Sequence, residues 1–384
     1  MKKLTLLILT LIFFAPITRA QKYEAHLSDS AYASVLTCGP GEEFYTSFGH
    51  SAVRICDSTL HLDLVYNYGT FDFDMPHFYW SFACGRLHYC LSRTIYNTFL
   101  LEYAHEGRAV WEQKLRISNQ ELNNLFVMLE NNNLPEYRYY WYDFFRDNCA
   151  TRVRDMITGC LSHRQLSPET VTDTNMSYRN MVYKSTEGNL LWWRLGVDIA
   201  LGQRCDVRCS NYEYMFHPIE MMHLLDTMRA NDTHEPLVDS AQLVLPETRI
   251  PTAKSSSPTI VFWMLFILVL ILTIIDWKKE WKMGWLDAVL YGLTFAVSAL
   301  VMFLWFFTEH YCTKPNLNIL WASPLFAYFA IARKKSNKWL ICIQLLMLFW
   351  AMAMTIGPLP QQMNAAILPI ALTLVCRLLC DLRN

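Results

Sequence analysis

Cys149 is the residue whose neighbourhood points most directly to covalent chemistry. It lies in Asp147-Asn148-Cys149-Ala150-Thr151-Arg152, and Val153, Met156 and Ile157 follow at helical spacing. The spacing predicts a helix with Cys149 in its first turn, ended near Gly159. A thiol at that position faces the positive end of the helix dipole, which favours the thiolate. A free cysteine has a pKa of about 8.5, and such surroundings lower it by about one to several units. The alternative is a buried structural cysteine or a disulfide partner, but the polar neighbours argue against an inert core thiol.

A thiol nucleophile needs an imidazole, and the imidazole needs a group that orients it. His50, in Phe48-Gly49-His50-Ser51-Ala52-Val53, lies in a strand pattern. A core histidine would also fit such a place. If the chain turns at Asp57-Ser58, a residue near position 67 comes opposite His50. Asn67 is therefore the expected third member, with Asp63 on the same strand as second candidate. Ser47 and Ser51 flank His50 without a GxSxG context, so a serine nucleophile is rejected. No CxxC pair, HExxH or comparable metal spacing occurs, and no cofactor is expected.

These residues require a scaffold of strands first and helices later, an α+β domain. Ala31 to Thr37, Thr46 to Ile55, His61 to Tyr68, Leu87 to Ile95 and Val110 to Ile117 read as strands. Ser118-Asn119-Gln120-Glu121 is a capping box that opens a helix with Leu122, Leu125, Phe126 and Leu129 on its apolar face. An aromatic loop, Tyr137 to Phe145, leads to the Cys149 helix. Residues 189–202, with Trp192 and Trp193, are too short to span a bilayer; a bilayer-interface helix and a core helix are both open. Of eight cysteines before residue 258, Cys205 and Cys209 are a reasonable disulfide pair in an oxidising compartment.

The rest of the chain is apolar. Of 384 residues, 53% are hydrophobic and 17% charged, with the excess concentrated after residue 257. Net charge is −1 and no basic stripe is present, so nucleic acid is not an expected partner. Residues 1–20 read as a signal peptide, with Lys2 and Lys3, an apolar run from Leu4 to Phe14, and a small-residue site at Thr18-Arg19-Ala20. An uncleaved anchor is the alternative. Residues 21–250 form one external domain and 251–257 a polar linker. Residues 258–384 carry five apolar stretches, 259–276, 285–307, 317–332, 338–356 and 364–380, each near spanning length. Pro315 and Pro324 interrupt the third; a kinked span is the simpler expectation, a broken helix lining a cavity the other. Lys278, Lys279, Lys282, Arg333, Lys334, Lys335, Lys338, Arg377 and Arg383 mark the basic loops and end. By the positive-inside rule these lie in the cytoplasm and everything before residue 258 lies outside.

An early strand histidine followed by a helix-opening cysteine resembles circularly permuted papain-like (NlpC/P60-type) folds, including lecithin:retinol-acyltransferase-like enzymes. More closely, the chain resembles the thiol-dependent bacterial lipoprotein N-acyltransferase family called Lnb. The segments that carry the likeness are Thr37-Cys38-Gly39-Pro40-Gly41, Ser47 to Arg54, Tyr66 to Phe73 and Asp147 to Arg152. The membrane half is similar in topology only. The resemblance implies a periplasmic domain on a five-helix domain of the inner membrane. It also implies acyl transfer from a phospholipid, through a thioester on Cys149, to the N-terminal amine of a diacylglyceryl-cysteine lipoprotein. His50 would handle the protons. Main-chain donors at the Cys149 helix, with Asn148, would hold the oxyanion, and Asn148, Arg152 and Tyr68 are expected on the substrate side. A papain-like amidase or peptidase acting on cell-wall peptides would use the same thiol but needs one anchor, not five spans. A non-catalytic assembly factor is the third class, and it would not need Cys149.

Overall fold

Residues of β1 (Tyr32–Cys38) and β2 (His50–Asp57) are buried along almost their whole length, which marks them as inner strands covered on both faces. The computed structural model describes residues 26–71, 76–161, 166–168, 176–188, 190–231, 233–249, 255–279, 283–332, 337–357 and 360–383. The expected signal peptide, part of the linker, and Lys282, Arg333, Lys334 and Lys335 fall outside these residues. With β3 (Leu62–Thr70), β4 (His88–Ile95), β5 (Val110–Leu115), β6 (Tyr139–Trp141) and β9 (Val238–Leu245), they form one antiparallel sheet in the order β6-β4-β3-β2-β1-β5-β9. The short strands β7 (Leu166–Pro168) and β8 (Met228–Ala230) pair separately.

Alternation along the strands divides the core. Val35, Val53, Ile55 and Tyr66 pack against Leu125 and Leu129 of the helix Asn119–Asn133 and against Ala150, Val153 and Ile157 of the helix Cys149–Cys160. Leu36, Ala52 and Val65 point the other way, onto Tyr96, Phe99 and Tyr103 of the helix Tyr96–His105. The Ser118 capping box is present, with both the side-chain and the reciprocal bond made. Three differences from expectation stand out. Residues 44–46 form a 3-10 turn, so β2 starts only at His50. The aromatic loop contains the edge strand β6, and β9 closes the opposite edge.

Beyond residue 257, the described residues contain five α-helices. Pro258–Lys279, Gly284–Phe306 and Lys338–Ile356 are long and apolar enough to cross a membrane. Of the other two, Ile367–Arg383 covers most of the expected fifth stretch, and the third stretch departs from expectation. Leu325–Ala332 has eight residues, about 12 Å of helix at the usual rise, against a hydrocarbon core of about 30 Å. The kinked span is therefore not what forms. Residues 317–320 make a 3-10 turn before Pro324. Side chains there reach the outer domain: Asn316 donates to the carbonyls of Ile199 and Ala200, and Asn318 to that of Asp198. The last helix, Ile367–Arg383, buries Arg377 against Asp276 and Asp287 and pairs Asp381 with the Tyr291 hydroxyl. Arg377 thus forms a buried ion pair rather than a loop charge.

The helix Leu191–Ala200 answers the question left open for residues 189–202. Leu195 and Ile199 enter the core of the membrane part, while Trp192 and Trp193 stay exposed, Trp192 with its ring 6.1 Å from Phe262. Beside it, Arg179 is fully buried and ion-pairs with Asp198 and Asp206. Asn364, from the loop before the last helix, donates to the same Asp198. Charges removed from water need such partners, so this cluster ties the sheet domain to the helical part. The expected Cys205–Cys209 disulfide is not formed. Both are free thiols, and Cys205 instead directs its sulfur at the carbonyl of Cys312, 3.6 Å away.

Candidate active site

Asn148 is the N-cap of the Cys149 helix. Its Oδ1 accepts from the Thr151 amide at 2.9 Å, and the Thr151 hydroxyl accepts from the Asn148 amide at 2.8 Å. This capping fixes Cys149 as the first helical residue, where main-chain N–H groups lack helical partners. The two donors of the Asn148 side chain are also committed, to the carbonyls of Phe144 and Phe216 at 2.8 and 2.9 Å. Asn148 therefore positions the helix, and the donors left near the sulfur belong to the main chain.

Two glycines allow the strands to approach. Gly49 has φ +83°, and a Cβ there would fall 2.6 Å from the Cys38 carbonyl oxygen. Gly69 has φ +89°, and a Cβ there would meet the Cys149 Cβ at 3.6 Å. Only glycine takes these conformations without strain. His50 follows the first glycine, its ring stacked over Tyr103 with centroids 6.5 Å apart.

His50, Asn67, Asn148 and Cys149 line one cavity of about 410 Å³. His50 Nε2 is 3.3 Å from Asn67 Oδ1. The ladder pairs Val53 with Tyr66; continued, it sets Gly69 opposite His50 and Asn67 opposite Ala52, two pairs along and so on the same face. Asp63 is at the other end of β3, held by Arg54 at 2.7 Å, and does not approach the ring. Tyr68 and Arg152 are not among the residues that line the cavity. Tyr68 is buried, its hydroxyl accepting from Asn132. Arg152 ion-pairs with Asp147 and covers the Tyr140 ring at 4.1 Å.

The electrostatics reverse one expectation. Enclosure pushes the Cys149 thiol above its ordinary value, although the main-chain N–H groups of Ser51, Ala150 and Cys149 itself, and the Arg108 cation, pull it back. Burial brings His50 down to about 4; Arg108 adds to that, and the Asn67 contact opposes it. At neutral pH the resting pair is thus a neutral thiol and a neutral imidazole, not a preformed thiolate. Among the described residues no hydrogen bond joins the sulfur to the ring. Such contacts are often long in unliganded sites and tighten with substrate.

Arg108 was not visible as a site residue from sequence. It is buried, donating through Nε to the Gly39 carbonyl at 2.8 Å and through Nη1 to Glu106 at 2.8 Å, and its Nη2 has no partner among the described residues. It lines the cavity together with Glu102, Tyr103 and Glu106, and the rings of Tyr45, Phe71 and Tyr89 line it as well. Among the described residues no group of three His, Cys, Asp or Glu side chains could hold a metal ion.

Comparison with known families gives two matches. The Lnb N-terminal periplasmic domain matches residues 19–182, and the Lnb transmembrane domain matches residues 251–383. The chain belongs to the Lnb family. It therefore joins a family of lipoprotein N-acyltransferases whose members place a periplasmic domain on an inner-membrane domain. No curated protein and no solved structure matched the chain. His50, Asn67 and Cys149 all lie within the residues that match the Lnb periplasmic domain.

Proposed function

We propose that this Lnb protein transfers a fatty acyl chain from a membrane phospholipid to the N-terminal amine of a diacylglyceryl-cysteine lipoprotein, with Cys149 as the nucleophile. The observation that carries the mechanism is the shared cavity. A thiol at a helix N-terminus, ringed by the amides of Ser51 and Ala150, lies in one pocket with an imidazole held by Asn67.

In the first half-reaction, neutral His50 removes the thiol proton as sulfur attacks the ester carbonyl. The Ser51, Cys149 and Ala150 N–H groups stabilise the oxyanion; one such donor is worth about 3–4 kcal/mol. The tetrahedral intermediate collapses, the C–O bond breaks, and His50 returns its proton to the departing lysophospholipid alkoxide. In the second half-reaction the lipoprotein amine attacks the thioester and loses a proton to His50. The Cys149 thiol leaves with that proton, and an amide remains. No cofactor takes part in either half.

A helix bearing Cys packed on an antiparallel sheet, next to the strand bearing His, supports a permuted papain-like fold for residues 21–250. For residues 258–384 we propose five membrane passages with a cytoplasmic C-terminus, the third through the broken segment 317–332. The membrane part is also what favours acyl transfer over an amidase acting on soluble peptides, because both lipid substrates reside in the bilayer. The test is complementation with Cys149→Ser and His50→Ala, read by mass spectrometry of lipoprotein N-termini. Full triacylation by Cys149→Ser would overturn the thioester.

A further inference from the structure

Three aromatic side chains on one six-residue helix, Phe78–Ala83, are left in the open: Tyr79 is 79% exposed, Trp80 63% and Phe82 55%. Exposed aromatic area of this extent marks a surface that meets something apolar. Both flanks of the helix identify the partner.

On one side the helix is anchored to a membrane span. The Trp80 ring is 5.7 Å from Phe303, in the last turn of Gly284–Phe306, where Phe306 and Phe307 are also exposed. The Glu309 amide donates to the Cys84 carbonyl at 2.9 Å, and the His310 ring lies 3.1 Å from the Phe82 carbonyl. Gly85, with φ +70°, permits this contact, since a Cβ there would come 3.0 Å from the His310 amide nitrogen. The helix is thus fixed at the end of a span, the depth at which aromatic side chains collect in membrane proteins.

On the other side the aromatic surface runs into the Cys149 cavity. Phe78 is buried, its ring 5.8 Å from Phe71; Phe71 is 5.1 Å from Tyr89 and 6.3 Å from Tyr45. Phe71, Tyr89 and Tyr45 line the cavity. The one helix therefore carries rings toward both places, Trp80 onto Phe303 at the span and Phe78 onto Phe71 at the chamber that holds the thiol.

We propose that the Phe78–Ala83 helix sits in the outer face of the bilayer and forms the lip over which a phospholipid acyl chain passes to Cys149. The occupant is the fatty acyl chain of an outer-leaflet glycerophospholipid. This rests on the thioester reading above and adds the route. The chain arrives on the side of the cavity lined by Phe71, Tyr89 and Tyr45, because Phe78 of the lip packs on Phe71 there.

The test uses the full-length protein in phosphatidylethanolamine–phosphatidylglycerol vesicles, with Tyr79→Glu, Trp80→Glu and Phe82→Glu combined. Acylation of Cys149 is followed by intact mass with two donors, the vesicle phospholipid and the water-soluble ester p-nitrophenyl butyrate. The expected result is acylation from phospholipid slowed about tenfold or more, with the soluble ester unaffected. Equal rates with both donors, or equal losses with both, would overturn the route. A second measurement does not depend on catalysis. A phospholipid carrying a diazirine on its acyl chain is photolysed with the Cys149→Ala protein. Adducts on the peptide containing residues 78–83 are expected; adducts confined to the spans Pro258–Lys279 and Lys338–Ile356 would overturn the lip. If wild-type Cys149 accepts acyl from neither donor, the thioester reading fails, while the crosslink still decides the lip.

Discussion

Replacing Asn67 by aspartate tests the charge state assigned to the catalytic pair. His50 has a pKa near 4 in its enclosed position, and Asn67 Oδ1 is 3.3 Å from its Nε2. The neutral ring donates its Nε2 proton to that oxygen and keeps Nδ1 free as the base. A carboxylate in the same place sets a full negative charge beside the ring. An opposite charge at such range raises an imidazole pKa by about 1–3 units. From about 4, the ring would then titrate between about 5 and 7. His50 acts as a base only when deprotonated, so the acid limb of the rate must move up in pH by the same amount. In Asn67→Ala the acceptor disappears but burial remains, so the acid limb does not rise. That variant loses one neutral hydrogen bond, about 1 kcal/mol, or about fivefold in rate at every pH above the limb. The assay is the rate of Cys149 acylation, or of its alkylation by iodoacetamide read on the Cys149 peptide, from pH 4.5 to 9. An acid limb in Asn67→Asp identical to wild type would refute the contact between Asn67 and the working imidazole.

Gly49→Ala should impair acylation more than stability. Its new methyl meets the Cys38 carbonyl at 2.6 Å, and relief of about 1–3 kcal/mol of strain moves His50; wild-type rates in this variant would show that the position of His50 is not set there. Arg179→Met strands Asp198 and Asp206 without their cation and should cost about 3–5 kcal/mol; thermal unfolding in detergent measures it, and adding Asp198→Asn and Asp206→Asn should restore most of the loss. Acidification should destabilise the fold through His50 and His217, both lowered to about 4 by burial. Unfolded histidine titrates near 6.5, so the unfolded chain binds protons first and stability falls as pH drops from about 6.5 toward 4. His217→Gln should flatten the melting curve across that window, and an unchanged slope would remove His217 from the account.

The parts of the site that could be read from sequence are those set by local rules. Alternation located β1 to β5, the turn at Asp57-Ser58 brought Asn67 near His50, and the Ser118-Glu121 box marked its helix to the residue. What failed were inferences from adjacency. Tyr68 follows Asn67, yet neighbours on a strand face opposite ways; Asn67 reaches the cavity and Tyr68 the core. Arg152, one turn past Cys149, turns to Asp147 and Tyr140. The strands β6 and β9 were missed because an edge strand has no buried face strong enough to print a period; β9 is exposed or half-buried throughout. Hydropathy reads 317–332 as one kinked helix because it registers apolar content but not the hydrogen bonds by which Asn316 and Asn318 hold the stretch before Pro324 to the outer domain.

The sign of the Cys149 shift shows most clearly where local logic stops. A helix N-terminus pulls a thiol pKa down, and the amides of Ala150 and Cys149 do so here. The dipole is a property of the helix, legible at Asn148-Cys149. Enclosure is a property of the fold, built by β2, β3, the Tyr96–His105 helix and the aromatic segment Tyr139 to Phe145, and it outweighs the dipole. The two effects act at different moments in the proposed mechanism. Burial keeps the resting thiol protonated, which protects it from adventitious oxidation in the periplasm, since the thiolate is the reactive form. The amides remain aimed at the sulfur and its surroundings. They act once His50 removes the proton and negative charge moves through sulfur to the carbonyl oxygen. A site assembled in this way is quiet without substrate and electrostatically prepared for the transition state, which is where stabilisation accelerates a reaction.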